Sequence, residues 1–407
     1  MHMFPTRISF DQAHAIIERV AQAHRMPVER IALARAHGHV LASEVVAGIA
    51  QPPFDNSAMD GFALRHADLH GEEETTLQLV GEQFAGHTLE LGVDAGQCVR
   101  ITTGAPLPAG ADTVVMKENT RLEGDRVVVH VAPKPGQHVR RTGEDTRAGE
   151  RVLEAGGALI PTRIALASSQ GLAELEVARR PTVAVFTTGD ELVEPGLPLA
   201  PGQIYNSNRE QLMGLLRADG LEPVAWPTLP DDPAQVESAL RHAGNAFDVV
   251  LTCGAVSAGE KDHIPALLQA QGEVHFWKVR MKPGMPVLFA SGGRLGDALF
   301  LCLPGNPVSV LATYLALARP LLDQLQGRAP RPQWHARLAA PWNKVHERLE
   351  FLRGQLRSRA DGGLEVEPNP ADGSHRMRAA ADSDALIVLG EGAREYPAGA
   401  VVVVVPY

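Results

Sequence analysis

Three stretches of this chain place glycine, hydroxyl, amide and acidic residues directly after apolar runs. They are TTGDE at 187–191, TCGAVSAGEKD at 252–262 and LPGNPVS at 303–309. An apolar run ending in a glycine turn reads as a buried strand entering a loop, and open α/β sheets bind ligands at such strand ends. The third stretch, with Gly305, Asn306 and Ser309, leads into VLATYLALARPLLDQL, so Pro-Gly-Asn-Pro opens a helix. Two readings compete there: ordinary turn chemistry, or an anion seat made by the helix's unpaired N–H groups. One glycine turn after a strand is unremarkable. Three in one sheet favour a phosphate- or anion-binding crevice.

Charge patterning sharpens this reading. In HFWKVRMK at 275–282, strand alternation would place Lys278, Arg280 and Lys282 on one face with Phe276, and Trp277, Val279 and Met281 on the other. The following KPGMP ends the strand near the same loops, so the cations are expected to face a bound anion; a solvated edge is the competing reading. Acids crowd the same loops: Asp190, Glu191, Asp231, Asp232 and Asp262. Two like charges 4 Å apart repel by about 4 kcal/mol at an effective dielectric near 20. Carboxylates beside phosphate therefore call for a bridging divalent ion, and an all-oxygen ligand set suits Mg²⁺. Asp231, Asp232 and Asp262 also read as helix caps. Glu191 has no obvious helix to cap. Zinc chemistry has little support, because no H-E-x-x-H or C-x-x-C occurs. Ser257 and Ser309 lie in no G-x-S-x-G and near no His–Asp pattern, which argues against acyl transfer.

The elements that must position these residues follow from periodicity. Residues 181–326 alternate continuous apolar strands with amphipathic helices, as expected of a doubly wound α/β domain. Residues 8–37 read as helical, opened by Ser9 and Gln12 as a capping box. Residues 75–142 and 331–407 read as short strands with Gly, Pro and Asp turns, hence small β domains. The fold class is thus α/β plus β, multidomain, with the α/β domain central and small β domains on either side in sequence. The 407 residues carry a formal charge of −10, which disfavours a bulk-basic duplex binder. Three distant cysteines suit a reducing, cytoplasmic setting, and no apolar run approaches the roughly 18 residues of a membrane span.

Taken in order, PPFDNSAMDGFAL, TTGAPLPAGADTVVM, VRRTGEDTRAGE, TTGDELVEPG, IYNSN, GAVSAGEKD, KVRMKPGMPVLF and LPGNPVSVLATY resemble the molybdopterin molybdenumtransferases, the MoeA and gephyrin E-domain family. The resemblance runs over nearly the whole chain. It implies a linker and dimerisation domain at 1–52 and 143–180, an inserted β domain at 53–142, a molybdopterin-binding α/β domain at 181–330 and a C-terminal β-barrel-like domain at 331–407. It further implies a Mg²⁺-dependent transferase that inserts molybdate into adenylylated molybdopterin and releases AMP. The expected assembly is an elongated homodimer supplied by a molybdopterin adenylyltransferase and serving cofactor-processing proteins or molybdoenzymes, without nucleic acid or membrane. Carried over by motif, Asp60, Glu191 and Asp262 are the expected catalytic acids, the last two also metal ligands. Thr103, Asp145, Lys278, Lys282, Gly305, Asn306, Ser309, Arg353 and Ser374 are the expected substrate contacts. Ala255, where the family usually has glycine, raises the question of a positive φ. Two alternatives stay in view: a molybdopterin adenylyltransferase, and a non-catalytic scaffold of the gephyrin E-domain type.

Overall fold

The computed structural model describes residues 4–71, 73–86, 90–256 and 263–407. The chain divides into two compact units.

One unit comprises 44–154 and 161–173. Its main sheet has six strands in the order Thr113–Met116, Gly61–Leu64, Gln97–Ile101, Thr75–Gln83, Arg126–Val129, Thr120–Glu123. Phe62, Leu64, Leu77, Cys98, Val115, Val127 and Val129 form one buried cluster on it. Gly61 has a steric reason: a β-carbon there would fall 1.9 Å from the Val115 carbonyl oxygen.

The other unit contains two folds. Its seven-stranded sheet runs Thr6–Ile8, Glu273–Val279, Leu288–Ser291, Leu299–Leu303, Val249–Cys253, Val183–Thr187, Val224–Ala225. The last four pair in parallel, whereas Leu288–Ser291 is antiparallel to both neighbours. Burial alternates by face. Val183, Val185, Leu251 and Leu301 join a core with Ile17, Leu212 and Leu321, while Ala184, Phe186, Val250 and Phe300 join another with Leu240 and Ile264. Helices therefore cover both faces, which is why these strands read as continuous apolar runs.

The amino-terminal helix spans Phe10–Ala23 and opens with the expected capping box: Gln12 N–H donates to Ser9 Oγ at 3.2 Å, and Ser9 N–H to Gln12 Oε1 at 3.0 Å. It stops well short of 37. Val28–Ala32 is instead a strand paired antiparallel with Glu174–Ala178. Pro27 keeps Met26 out of helical geometry, and the distant partner strand offers ladder bonds that the local pattern does not reveal.

At the C-terminus, Leu349–Ser358, Leu364–Pro368, Trp334–Leu338, Val401–Pro406 and Ala385–Leu389 pair successively and close back on Leu349–Ser358, forming a small barrel. Met281–Lys282 adds to it in parallel, with Lys282 in register with Glu350. The chain thus passes from the α/β sheet to the barrel's edge within three residues of Val279.

Candidate active site

In the parallel strands Thr187, Cys253 and Leu303 lie side by side in register. The turns that follow leave the carboxyl ends of these strands together and are stitched to one another. Thr188 N–H donates to Cys253 O at 3.1 Å, and Gly254 N–H to Leu303 O at 3.1 Å. Cys253 Sγ donates to Pro304 O at 3.3 Å, and burial pushes this thiol far up. It is a packing group, not a nucleophile. Gly254 has φ +96°, and a β-carbon would meet Thr188 Oγ1 at 2.8 Å. Ala255 holds φ +48°, so the alanine does occupy left-handed backbone.

The three turns line one cavity of about 620 Å³, together with Glu191, Asn208, Asp231 and Asn306. Asn206 N-caps the helix Ser207–Ala218, and Asn208 Nδ2 on that helix donates to Gly305 O at 2.7 Å. The acids sort themselves by geometry. Asp232 caps the helix Pro233–Ala246, accepting from Gln235 N–H at 2.9 Å, whereas Asp231 faces the cavity. Glu191 reaches it through its carboxylate, folded over Gly189. Asp262, Ser257 and Ala258 lie outside the described residues.

The basic strand departs from simple alternation. Lys278 adopts φ +71°, and its Nζ sits 4.5 Å from the Trp277 ring centroid, beside the residue that alternation would place opposite. Arg280 pairs with Glu391 at 3.1 Å. Lys282 belongs to the barrel edge and pairs with Glu350 at 2.9 Å and Asp372 at 3.2 Å. A shared face for the three cations is therefore overturned, because the positive φ at Lys278 interrupts the alternation within the strand and Lys282 lies beyond its end, on the barrel sheet.

Lys282 lines a second cavity of about 390 Å³ with Ser309, Arg348, Asp372 and Ser374. It shares Pro286, Pro304 and Asn306 with the larger one. Asn306, at the mouth of LPGNPVS, spends its side chain not on capping but on Ser374 Oγ, to which Nδ2 donates at 3.1 Å. The Val308 N–H donates to Ser374 O at 3.2 Å. The motif thus acts as a joint between the α/β sheet and the barrel loop, and one early helix amide is already used. Arg353, only 2% exposed, lies behind that loop and donates to the carbonyls of Ala371 and Gly373. It shapes the cavity wall. Arg348, Glu350 and Asp372 escaped sequence reasoning, since nothing local marks them.

In the other unit Thr103 donates to Asp60 Oδ1 from both N–H and Oγ1, each at 2.9 Å. Those bonds, the backbone one first, hold the Asp60 carboxyl below its usual range. Asp60 shares a cavity of about 250 Å³ with Arg100 and Lys117. Asp145 accepts from Thr146 Oγ1 at 3.5 Å. No group of three metal-ligating side chains occurs among the described residues, and none of their helices is long and apolar enough to cross a membrane.

A central mixed α/β sheet with glycine turns at the carboxyl ends of its parallel strands and a closed β-barrel docked beside it defines a multidomain protein of the molybdopterin-binding type. Family models match accordingly: the MoeA N-terminal region (domain I and II) over 8–171, a probable molybdopterin binding domain over 184–324, and the MoeA C-terminal region (domain IV) over 335–407. The chain belongs to the MoeA family. It is 40% identical to a molybdopterin molybdenumtransferase of Haemophilus influenzae over 93% of this chain and 94% of that protein. It is 38% identical to molybdopterin molybdenumtransferase 2 of Mycobacterium tuberculosis, over 91% and 92%. Among solved structures, the molybdopterin biosynthesis moeA protein of Pyrococcus horikoshii superposes with a TM-score of 0.82 at 28% identity, covering 98% of this chain and all of that one.

Proposed function

We infer that this chain is a molybdopterin molybdenumtransferase of molybdenum cofactor biosynthesis. It inserts molybdate into adenylylated molybdopterin and releases AMP. The observation that carries this reading is the pair of adjoining cavities, one large and lined by glycine turns and two acids, one small and lined by a lysine, an arginine, two serines and a single acid, Asp372. The larger suits an extended nucleotide-bearing pterin. The smaller suits a tetrahedral oxyanion, and the shared wall at Pro286, Pro304 and Asn306 brings the two substrates together.

In this reading the turn at Gly254–Ala255 lets the ligand approach the backbone closely, since neither residue projects a long side chain. Lys282 and Arg348 neutralise the oxyanion while Ser309 and Ser374 donate hydrogen bonds to its oxygens. The pterin dithiolene supplies sulfur ligands to molybdenum in exchange for molybdate oxygen, which leaves as water with the thiol protons, and water cleaves the phosphoanhydride bond to release AMP and leave the pterin its own phosphate. Mg²⁺ fits the donor set on the larger cavity: the carboxylates of Glu191 and Asp231 would hold it, Asp262 being a further expected ligand, and it takes one or two carboxylates beside phosphate oxygens. Bound there, it would neutralise charge developing on the cleaved phosphoryl group.

The protein is read as a cytoplasmic homodimer, receiving its ligand from an adenylyltransferase. Asp60, Thr103 and Asp145 of one protomer are assigned to the cavity of the other, which is supported by the family's motifs at those positions. The test is an assay with adenylylated molybdopterin and molybdate. Molybdate-dependent AMP release supports the reading. ATP-dependent adenylylation of molybdopterin without that release would replace it with the adenylyltransferase reading.

A further inference from the structure

The ammonium group of Lys282 is held by two carboxylates of different character. Glu350 is its register partner on the barrel strand, its side chain 4% exposed, and His346 Nε2 stands 3.3 Å from the same oxygen that Lys282 contacts. That partner is walled in. Asp372 reaches Lys282 at 3.2 Å with its side chain 51% exposed, and it lines the small cavity itself. Burial alone would lower the Lys282 pKa, but the two carboxylates outweigh it and raise it, so the ammonium stays charged.

An acid has no favourable place in a cavity for an oxyanion, since its charge repels the ligand. Its position is nonetheless well determined. Arg353 pins the carbonyls on either side of it, those of Ala371 and Gly373, and Asn306 fixes Ser374 two residues on. The backbone presenting Asp372 is thus clamped, while its carboxylate is half in solvent and tied by one exposed ion pair. A pair with one partner half in solvent holds weakly, so rotation of one side chain can release it at low cost.

We propose that Asp372 is an intramolecular competitor for the oxyanion seat: its carboxylate and a tetrahedral oxyanion compete for the Lys282 ammonium, and the oxyanion displaces it on binding. This rests on the assignment of the small cavity to molybdate. Glu350 orients Lys282 in both states, and Asp372 exchanges with the ligand. The consequence is a seat of lowered affinity. It stays closed by default to weakly held anions and opens to an oxyanion that also engages Ser309, Ser374 and Arg348.

The experiment is titration calorimetry of the full chain with molybdate, and separately with sulfate, for the parent, Asp372→Asn, Lys282→Ala and the double variant. Asp372→Asn is expected to tighten molybdate by about threefold to tenfold, the span of an exposed pair plus relief of repulsion. That gain should shrink to within error in the Lys282→Ala background, because the competition runs through Lys282. Asp372→Asn binding molybdate no better than the parent, or more weakly, overturns the proposal. A gain undiminished without Lys282 also overturns it, showing a general field effect. Binding lost in Lys282→Ala but unaltered in Asp372→Asn leaves the seat in place and removes only the competitor. Binding unaffected by Lys282→Ala places the oxyanion elsewhere and removes both. Thermal unfolding of each variant identifies any that fail to fold, and Asp372→Ser then serves as the second substitution.

Discussion

The carboxylate of Glu191 lies directly over the α-carbon of Gly189. A β-carbon at 189 would stand 2.4 Å from Glu191 Oε2 and 2.7 Å from Cδ, and the backbone there has φ +140°. The glycine and the acid of TTGDE are therefore one device: the turn has room for the carboxylate because residue 189 has no side chain.

Glu191→Gln is expected to reduce AMP release about tenfold to a hundredfold while adenylylated molybdopterin still binds, since shape is kept and charge lost. Gly189→Ala should give a similar loss without touching the acid, plus about 1–3 kcal/mol of instability from strained backbone. AMP assays with urea unfolding test both. Parental turnover in Gly189→Ala would show that the carboxylate's position does not matter.

A site built from two protomers should show complementation. Asp60→Ala and Glu191→Ala proteins, each inactive, are mixed under conditions that exchange subunits. Each mixed dimer then carries one site with both lesions and one with neither, so about a quarter of wild-type sites should return. Differently tagged chains verify exchange. Verified exchange with no recovered AMP release would confine the site to one chain.

Gly61→Ala should destabilise the inserted β unit by about 2–3 kcal/mol, because its β-carbon has nowhere to go but into the Val115 carbonyl. It should also disturb the neighbouring Asp60 and its two bonds from Thr103. Urea unfolding reads the first effect. An unchanged midpoint would mean that the strand pair yields more easily than the geometry implies.

Stability should carry a signature of His39. Burial first, then the charges of Arg180 and Arg35, push its imidazole down to about 4. An unfolded imidazole titrates at about 6.5. Between those values the unfolded chain holds the proton and the folded chain does not, so stability is full above the upper value and falls as pH drops toward the lower. His39→Gln should flatten the fall in urea midpoint between about pH 7 and about pH 5. An equal fall in both proteins would assign that pH dependence to other groups.

What the sequence settled by itself is local. Ser9 and Gln12 make their reciprocal cap within four residues, and Asp232 caps a helix that begins at the next residue. The apolar runs before Gly189, Gly254 and Gly305 declared buried strands with turns, and the suspicion of positive φ at Ala255 is met at +48°. These features depend on neighbours in the chain, so composition and period reveal them. Tertiary structure alone decided what depends on distant partners. Pairing with Glu174–Ala178 made a strand of Val28–Ala32. Lys282 left the α/β sheet because Glu350, far along the chain, offered a register partner, and Arg353 went behind the 371–374 loop because two carbonyls there needed a donor. Asp231 and Asp232 are adjacent and chemically identical. One caps and one faces the cavity, because consecutive side chains leave a turning backbone in different directions and only the surrounding fold determines what each direction meets.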